Sequence, residues 1–229
     1  KYDITRQQQD ELALLSQQRA CQALKDGVFK DEIVPIEVRS RKGVTVVDTD
    51  EYPKDDTTME KLSKLKASFK ENGTVTAGNA SGMNDASSGV ILAAEDKARE
   101  LGLPILGRIL ATATVGVDPD IMGIGPVGAT RKAMEKAGLT LDQLDRIELN
   151  EAFAAQYLAC EKELGLNREI TNVHGSGISL GHPVGATGTR LITTLLYELK
   201  HTGGRYGLVT ICAGGGMGVA LVLDAKPET

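Results

Sequence analysis

Aromatic residues and cysteines are scarce in this sequence. Tryptophan is absent from the 229 residues, and aromatic side chains make up only 3% of them. The three cysteines, Cys21, Cys160 and Cys212, are far apart in the chain and form no CxxC pair. This spacing indicates neither a disulfide framework nor a zinc site, and we expect no bound metal.

Long apolar runs and an excess of positive charge are also missing. Charged residues or glycines interrupt every apolar stretch before the ~18 residues that a membrane-spanning helix needs. We therefore expect no membrane span, and we see no signal peptide at the start of the chain. The formal net charge of −5 argues against nucleic acid as a partner. The expected location is the cytoplasm, with a mitochondrial or peroxisomal matrix as the alternative.

Glycine is abundant, with 26 residues, and 41% of the chain is hydrophobic. A glycine-rich chain with few aromatic residues favours closely packed α/β layers, and the length suffices for one large or two small domains. The first residue is Lys1, and Thr5 with Gln8 forms a predicted capping box almost at once. We expect this start to be an internal position of a longer polypeptide.

Apolar periodicity predicts alternating helices and strands. The predicted helices span 5–26, 85–101, 129–137, 151–164 and 182–199. The predicted strands span 33–38, 44–47, 105–117, 146–149, 208–212 and 219–223. This alternation predicts a layered α/β fold with a boundary near 102–104. After the first predicted strand, residues 39–70 carry eight basic and six acidic side chains. They form either a solvated loop or a mildly cationic lid over an anionic ligand.

Three short segments combine glycines with reactive side chains. In the first, Asn150 lies where a strand passes into a helix, so it is either a helix N-cap or a ligand-binding side chain. In the second, 175–188, five glycines surround His182. Pro183 predicts that a helix begins there, and the helix dipole would then favour a neutral imidazole. A lone histidine could equally be structural.

The third segment, 212–218, joins Cys212 to a run of glycines between two apolar strands. The glycines could simply form a tight hairpin. Alternatively, backbone N–H groups beside a buried strand end could support a thiolate or receive an oxyanion. A phosphate-binding loop would normally contain Lys or Ser/Thr, which this segment lacks.

Taken in order, these segments resemble the active-site loops of the thiolase family. The matching runs are NEAFAA from Asn150, GHPVGATG around His182 and CAGGGMG from Cys212, together with 73–85, which resembles the loop that holds the pantetheine arm of CoA. The resemblance covers the chain from its first helix to Leu223. In detail it is similar to the biosynthetic, acetoacetyl-CoA-forming type.

The resemblance implies a role for four catalytic positions. His182 would take the proton from the family's nucleophilic cysteine and, with a water held by Asn150, would form an oxyanion site. Cys212 would be the acid/base at the α-carbon, and the Gly214 N–H would be a donor of a second oxyanion hole. The implied contacts to CoA or to the acyl group are Lys54, Phe69, Ala77, Ser81, Met122 and Phe153.

The family also implies an architecture and a reaction. The expected fold is a thiolase-like α/β/α half-repeat with part of a CoA-binding loop domain. Its divisions are a loop or lid region (1–83), a helix completing an absent N-terminal domain (84–103) and the C-terminal domain (104–229). The implied reaction is Claisen condensation of two acetyl-CoA to acetoacetyl-CoA and CoA, and the reverse thiolysis.

An acyl-cysteine intermediate is implied, and its nucleophile lies outside this chain, so the chain alone is expected to be inactive. CoA is a substrate or product, and no cofactor is expected. The implied partners are acetyl-CoA, acetoacetyl-CoA, CoA, the missing N-terminal half and further copies in a homotetramer. The alternatives are a non-catalytic acyl-CoA- or lipid-binding protein of the same fold and an inactive fragment.

Overall fold

The computed structural model describes residues 1–226 and contains helices and strands in alternation. The α-helices are α1 (Arg6–Asp26), α2 (Met59–Ser63), α3 (Glu95–Glu100), α4 (Gly125–Ala137), α5 (Ala154–Leu164), α6 (Gly177–Leu180) and α7 (Thr187–Thr202). The strands are β1 (Ile36–Ser40), β2 (Gly43–Val47), β3 (Arg108–Gly116), β4 (Arg146–Leu149), β5 (Tyr206–Ala213) and β6 (Met217–Asp224).

A four-stranded mixed sheet in the order β3-β6-β5-β4 organises the C-terminal half. β4 and β5 are parallel, and the other two pairs are antiparallel. Alternation along β5 points Leu208 into a core with α4 and α5, whereas Val209 packs against α7 on the opposite face. The sheet therefore lies between helical layers, which confirms the predicted layered α/β architecture.

The first helix has the predicted ends. Thr5 and Gln8 form the capping box, and Gly27 ends α1 with a φ of 70°, which a glycine adopts without strain. Leu12 and Ala13 of this helix are buried in the same core as α4 and α5. Ser16 of α1 contacts Glu151 and Ser179, so the helix lies beside the segments that contain Asn150 and His182.

The predicted helix 85–101 is mostly wrong. Only Glu95–Glu100 is helical, and Ala98 is its buried residue. Upstream of α3, Ile91 and Leu92 are 91% and 74% exposed. An amphipathic stretch of this length depends on packing of its apolar face, and residues 1–226 offer these side chains no such surface.

The charged region is only partly irregular. β1 begins at Ile36 rather than 33, just after Pro35, which lacks an N–H for the ladder. β1 and β2 pair as an antiparallel hairpin whose residues are all exposed. Further along, Leu62 of α2 is buried in the core, so this part of the region is attached to the domain.

Candidate active site

Asn150 lies at the carboxyl end of β4, beside the parallel strand β5. Its N–H donates to the Thr210 carbonyl at 3.1 Å, so the ends of the two strands meet at one edge of the sheet. The side chain is 0% exposed, yet neither amide atom has a hydrogen-bond partner within residues 1–226. Buried polar atoms are normally paired, so this amide is available to a water or ligand.

Asn150 is not a helix cap, so that interpretation of the sequence is wrong, and its role in ligand binding stays a prediction. The N-cap of α5 is Phe153, three residues later, so the predicted helix start at 151 is also shifted. Gly177 lets the loop from 175 pass close to Asn150, because a Cβ on Gly177 would lie 2.8 Å from the Asn150 Oδ1. The glycine therefore serves a close approach of two site loops.

His182 lies in the turn that precedes α7 and not at the helix N-terminus. The predicted helix start was wrong, because residues 184–186 form a turn and α7 begins only at Thr187. The His182 pKa is nevertheless lowered, first by burial and then by the nearby charge of Arg190. The neutral imidazole is thus favoured for a reason other than the helix dipole.

The position of His182 is fixed by two further segments. Its N–H lies 3.3 Å from both the Gly82 carbonyl and the Asn84 Oδ1. Its Nδ1 lies 2.7 Å from the Oγ1 of Thr187. No hydrogen bond between described residues involves Nε2. That nitrogen is therefore the one available for proton transfer.

Cys212 is near the end of β5, where it pairs with Gly218 of β6 across a tight hairpin. Its side chain is 6% exposed, and burial raises the pKa of the thiol to about 11. The group is consequently a protonated thiol at neutral pH, suited to donate a proton. Gly215 and Gly216 have φ of 81° and 91°, and Gly214 opens the turn with open space around its Cα.

The segment predicted to hold CoA runs beside the NEAFAA segment. The Ser81 N–H donates to the Ala152 carbonyl at 3.0 Å, and Ala80 pairs with Phe153. The Phe153 ring also packs edge-on against Phe69, with ring centroids 6.0 Å apart. Ser81, Phe69 and Phe153 are therefore brought together, next to the loop that contacts His182.

The other predicted CoA or acyl contacts lie elsewhere. The Lys54 N–H donates to the Gln17 Oε1 at 2.8 Å, and the Lys54 side chain lines a groove with α1. Ala77 is exposed. Met122 is half-buried in a 3-10 helix, Pro119–Ile124, that packs against α5. These contacts do not test whether Lys54, Ala77 and Met122 bind CoA or the acyl group, so those roles stay predictions.

Sequence reasoning missed Glu151, which joins three parts of the site. Its buried carboxylate accepts from the Ser16 hydroxyl at 2.6 Å, the Asn172 amide at 3.1 Å and the Ile178 N–H at 3.3 Å. Burial raises its pKa. The place of Glu151 in the NEAFAA motif was a usable signal, whereas nothing in the sequence pointed to Asn172.

Two negative findings apply to residues 1–226. No group of three or more His, Cys, Asp or Glu side chains in that range could hold a metal ion. Nor does any helix there combine the length and apolar character needed to cross a membrane.

A mixed sheet between helical layers carries a buried amide and a buried thiol at its strand ends and an imidazole on the loop before α7, the arrangement of an α/β protein with a site at the edge of its sheet. Family models then match most of the chain. The N-terminal domain of thiolase matches residues 1–96, and the C-terminal domain of thiolase matches residues 103–225. The chain belongs to the thiolase family, and the resemblance inferred from the motifs is confirmed.

Curated relatives and solved structures agree with this assignment. The chain is 54% identical over 224 residues to an acetyl-CoA acetyltransferase of Pseudomonas aeruginosa, covering 97% of this chain and 57% of the relative. It is 52% identical over 225 residues to the beta-ketothiolase BktB of Cupriavidus necator, covering 98% and 57%. The chain thus spans little more than half the length of the curated relatives it matches.

Two solved structures show the same fold. The crystal structure of the Bacillus anthracis acetyl-CoA acetyltransferase superposes with a TM-score of 0.95 at 52% identity, over 97% of this chain and 57% of that one. Human mitochondrial 3-ketoacyl-CoA thiolase in complex with CoA superposes with a TM-score of 0.88 at 43% identity, over 96% and 55%.

Proposed function

We propose that this chain is the C-terminal part of an acetyl-CoA C-acetyltransferase. The enzyme condenses two acetyl-CoA molecules to acetoacetyl-CoA and CoA, and it catalyses the reverse thiolysis. The observation that carries the proposal is the set of three groups on separate segments: the unpaired Asn150 amide, the His182 imidazole and the Cys212 thiol. Names of relatives at 50% identity or more support the choice of substrate.

In condensation, a proton leaves the α-carbon of acetyl-CoA and the enolate carbon attacks the acyl-cysteine carbonyl. A carbon–carbon bond forms, and the carbon–sulfur bond to the cysteine breaks. An α-proton beside a thioester is weakly acidic, so its removal needs both a base and a donor to the enolate oxygen. Cys212 is the acid/base: its thiol gives a proton to the CoA that leaves during acylation, and the thiolate so formed takes the α-proton. His182 with a water on Asn150 is the donor set, and His182 returns its proton to the released cysteine.

The remaining roles follow the same proposal. Gly214 N–H contributes to the oxyanion site for the acyl carbonyl. CoA is held by Ser81, Ala77, Phe69 and Lys54, with Met122 and Phe153 near the acyl group. The chain acts together with an N-terminal half that supplies the nucleophile, in a homotetramer in the cytoplasm. The division into a lid region (1–83), a connecting segment (84–103) and a C-terminal domain (104–229) belongs to this proposal.

The test is Cys212→Ser in the complete enzyme. A serine hydroxyl is a far weaker acid than a thiol and is hardly ionised at neutral pH, so almost no alkoxide is present to take the α-proton. The variant should still form an acyl-enzyme from acetyl-CoA, but it should lose condensation by roughly 10²–10⁴-fold, the contribution of general acid–base catalysis. Exchange of the acetyl α-protons with solvent should fall with it.

The measurements are mass spectrometry of the acyl-enzyme and deuterium uptake into acetyl-CoA. Cys21→Ser is the matched control, because Cys21 lies on α1 and not on the segments that carry Asn150, His182 and Cys212. It lines the groove that Lys54 also lines, so both rates are compared at saturating acetyl-CoA, where they should match wild type. Wild-type condensation and exchange in Cys212→Ser would refute the assignment. An inactive wild-type enzyme would refute the proposed reaction.

A further inference from the structure

One hydroxyl lies behind the His182 imidazole. The Oγ1 of Thr187 is 2.7 Å from His182 Nδ1 and 2.9 Å from the Pro183 carbonyl oxygen. Thr187 is 0% exposed, so no solvent competes for its hydroxyl. The Thr187 hydroxyl therefore contacts these two protein atoms and is closed off from solvent.

The protons of this three-member chain can be assigned from geometry. A hydroxyl carries one proton, and a carbonyl oxygen can only accept. If the Thr187 proton pointed to His182 Nδ1, two oxygens would face each other at 2.9 Å without a proton between them. If it points to the Pro183 carbonyl, both contacts are hydrogen bonds, and Nδ1 carries the ring proton.

We propose that Thr187 is a positioning residue, which holds His182 in the Nδ1–H tautomer and leaves the Nε2 lone pair as the proton acceptor. The proposal rests on the proposed function in one respect, namely that the acceptor serves acyl transfer. In that step Nε2 takes the proton of the nucleophilic cysteine, and the cysteine sulfur bonds to the thioester carbonyl carbon. The carbon–sulfur bond to CoA breaks, and CoA leaves as a thiol with the proton of Cys212. Throughout, Nδ1–H remains bonded to Thr187.

A second threonine of α7, Thr193, serves as a control for the bond that a threonine hydroxyl commonly makes to the carbonyl four residues earlier. The Thr193 hydroxyl donates to the Thr189 carbonyl at 3.0 Å, the same four-residue bond that Thr187 makes to Pro183. Threonines in helices commonly make such bonds, so that contact by itself has no catalytic meaning. Thr187 differs because a ring nitrogen occupies its second partner position.

The kinetic test uses the complete enzyme with Thr187→Val, Thr187→Ser and Thr193→Val. Valine keeps the shape of threonine without its hydroxyl, and serine keeps the hydroxyl. Thr187→Val should lower kcat for thiolysis by roughly 10-fold to 10²-fold, part of the ~10²–10⁴ of a general base, with KM little changed. Thr187→Ser should restore most of the rate, and Thr193→Val should match wild type. Thr187→Ala replaces the valine variant if that one does not fold.

A readout independent of activity is neutron crystallography of the complete deuterated enzyme. Deuterium on His182 Nδ1, with the Thr187 deuteroxyl directed at the Pro183 carbonyl, supports the proposal. Deuterium on Nε2 of neutral His182, or a Thr187→Val rate equal to wild type, overturns it. Deuterium on Nδ1 in an enzyme without thiolase activity would uphold the tautomer assignment and refute the proposed function instead.

Discussion

At the scale of single residues, two buried asparagines show how hydrogen bonding separates structural from functional side chains. Asn172 accepts from the Leu149 N–H at 2.9 Å and donates to the Leu149 carbonyl at 2.7 Å and to Glu151 at 3.1 Å. The Asn150 amide is equally buried and has no partner among the described residues. Asn172 therefore stabilises the fold, whereas Asn150 is free to bind.

Alanine at each position should separate these roles in the complete enzyme. Asn150→Ala should slow condensation by ~10²–10³-fold, the usual effect of losing an oxyanion donor, with little change in melting temperature. Asn172→Ala should lower the free energy of unfolding by about 1–3 kcal/mol, because the Leu149 backbone loses its partners. Condensation rates and thermal unfolding check both. A normal condensation rate in Asn150→Ala would leave that residue without a catalytic role.

At the scale of elements, the Cys212 hairpin is held in place by backbone contact between β6 and α4. A Cβ on Gly218 would lie 2.0 Å from the Gly125 carbonyl carbon at the start of α4, closer than any real contact. Gly214 in the same hairpin has nothing within 4 Å of such a Cβ. A side chain therefore fits at Gly214 but not at Gly218.

Gly218→Ala should push α4 from β6 and lower the free energy of unfolding by roughly 1–3 kcal/mol, the usual cost of overpacking. Since Gly218 pairs with Cys212, condensation should fall as well. Gly214→Ala meets no described protein atom, so its stability should stay near wild type. Denaturant unfolding and condensation assays compare the two variants. Equal free energies of unfolding would show that α4 can move away from β6 without destabilising the fold, which contradicts the prediction.

A second feature at this scale is the charge cluster between β4 and α7. Burial raises the pKa of Glu148 from 4.5 to about 8, although Arg190 opposes the shift. Burial would also raise the pKa of Glu198, but hydrogen bonds from His174 and Arg146 outweigh it and lower that pKa. The charges of Glu151 and Glu32 also raise the Glu148 pKa.

These opposite shifts predict opposite pH dependences of stability. Above pH 4.5 the Glu148 carboxyl group loses its proton in the unfolded chain but keeps it in the folded protein. The free energy of unfolding therefore falls as the pH rises from 4.5 to about 8. Glu148→Gln should remove that loss and flatten the melting temperature over this window. Glu198→Gln should instead remove stability present at neutral pH. Thermal melts between pH 4.5 and 8 measure both, and a Glu148→Gln curve parallel to wild type would contradict the first.

At the scale of the whole molecule, the chain has no cysteine prepared as a nucleophile. Burial raises the pKa of all three thiols, to about 12 for Cys160 and about 11 for Cys212, while Cys21 shifts in the same direction. A nucleophilic cysteine needs a lowered pKa and access to solvent. These shifts support the proposal that the nucleophile is supplied from outside this chain.

The 229-residue chain by itself should show no steady-state thiolysis of acetoacetyl-CoA and no acyl-cysteine by mass spectrometry. The complete enzyme at equal concentration is the control and should show both. Turnover by a purified, sequence-verified chain would refute the division of roles between its cysteines and the absent nucleophile.

Sequence patterns predicted elements whose apolar faces meet a core. The ends of α1, the strands β4, β5 and β6, and the layered fold all follow from periodicity, capping and turn residues, which are local properties. The helix at 85–101 was wrong because its formation depends on a packing surface that no local pattern contains. The start of α7 was misplaced because Pro183 suits both a turn and a first helical turn.

The sequence by itself determined the family and the three motifs around Asn150, His182 and Cys212, because each motif is a short run of neighbouring residues that can be read from residue order. Only the tertiary structure decided what each side chain does. It shows that Asn150 has no partner, that Thr187 lies behind His182 and that Glu151 joins three segments. Ser16 and Glu151 are 135 residues apart in the chain. Their hydrogen bond depends on how α1 packs against the rest of the protein, and no local sequence pattern contains that information.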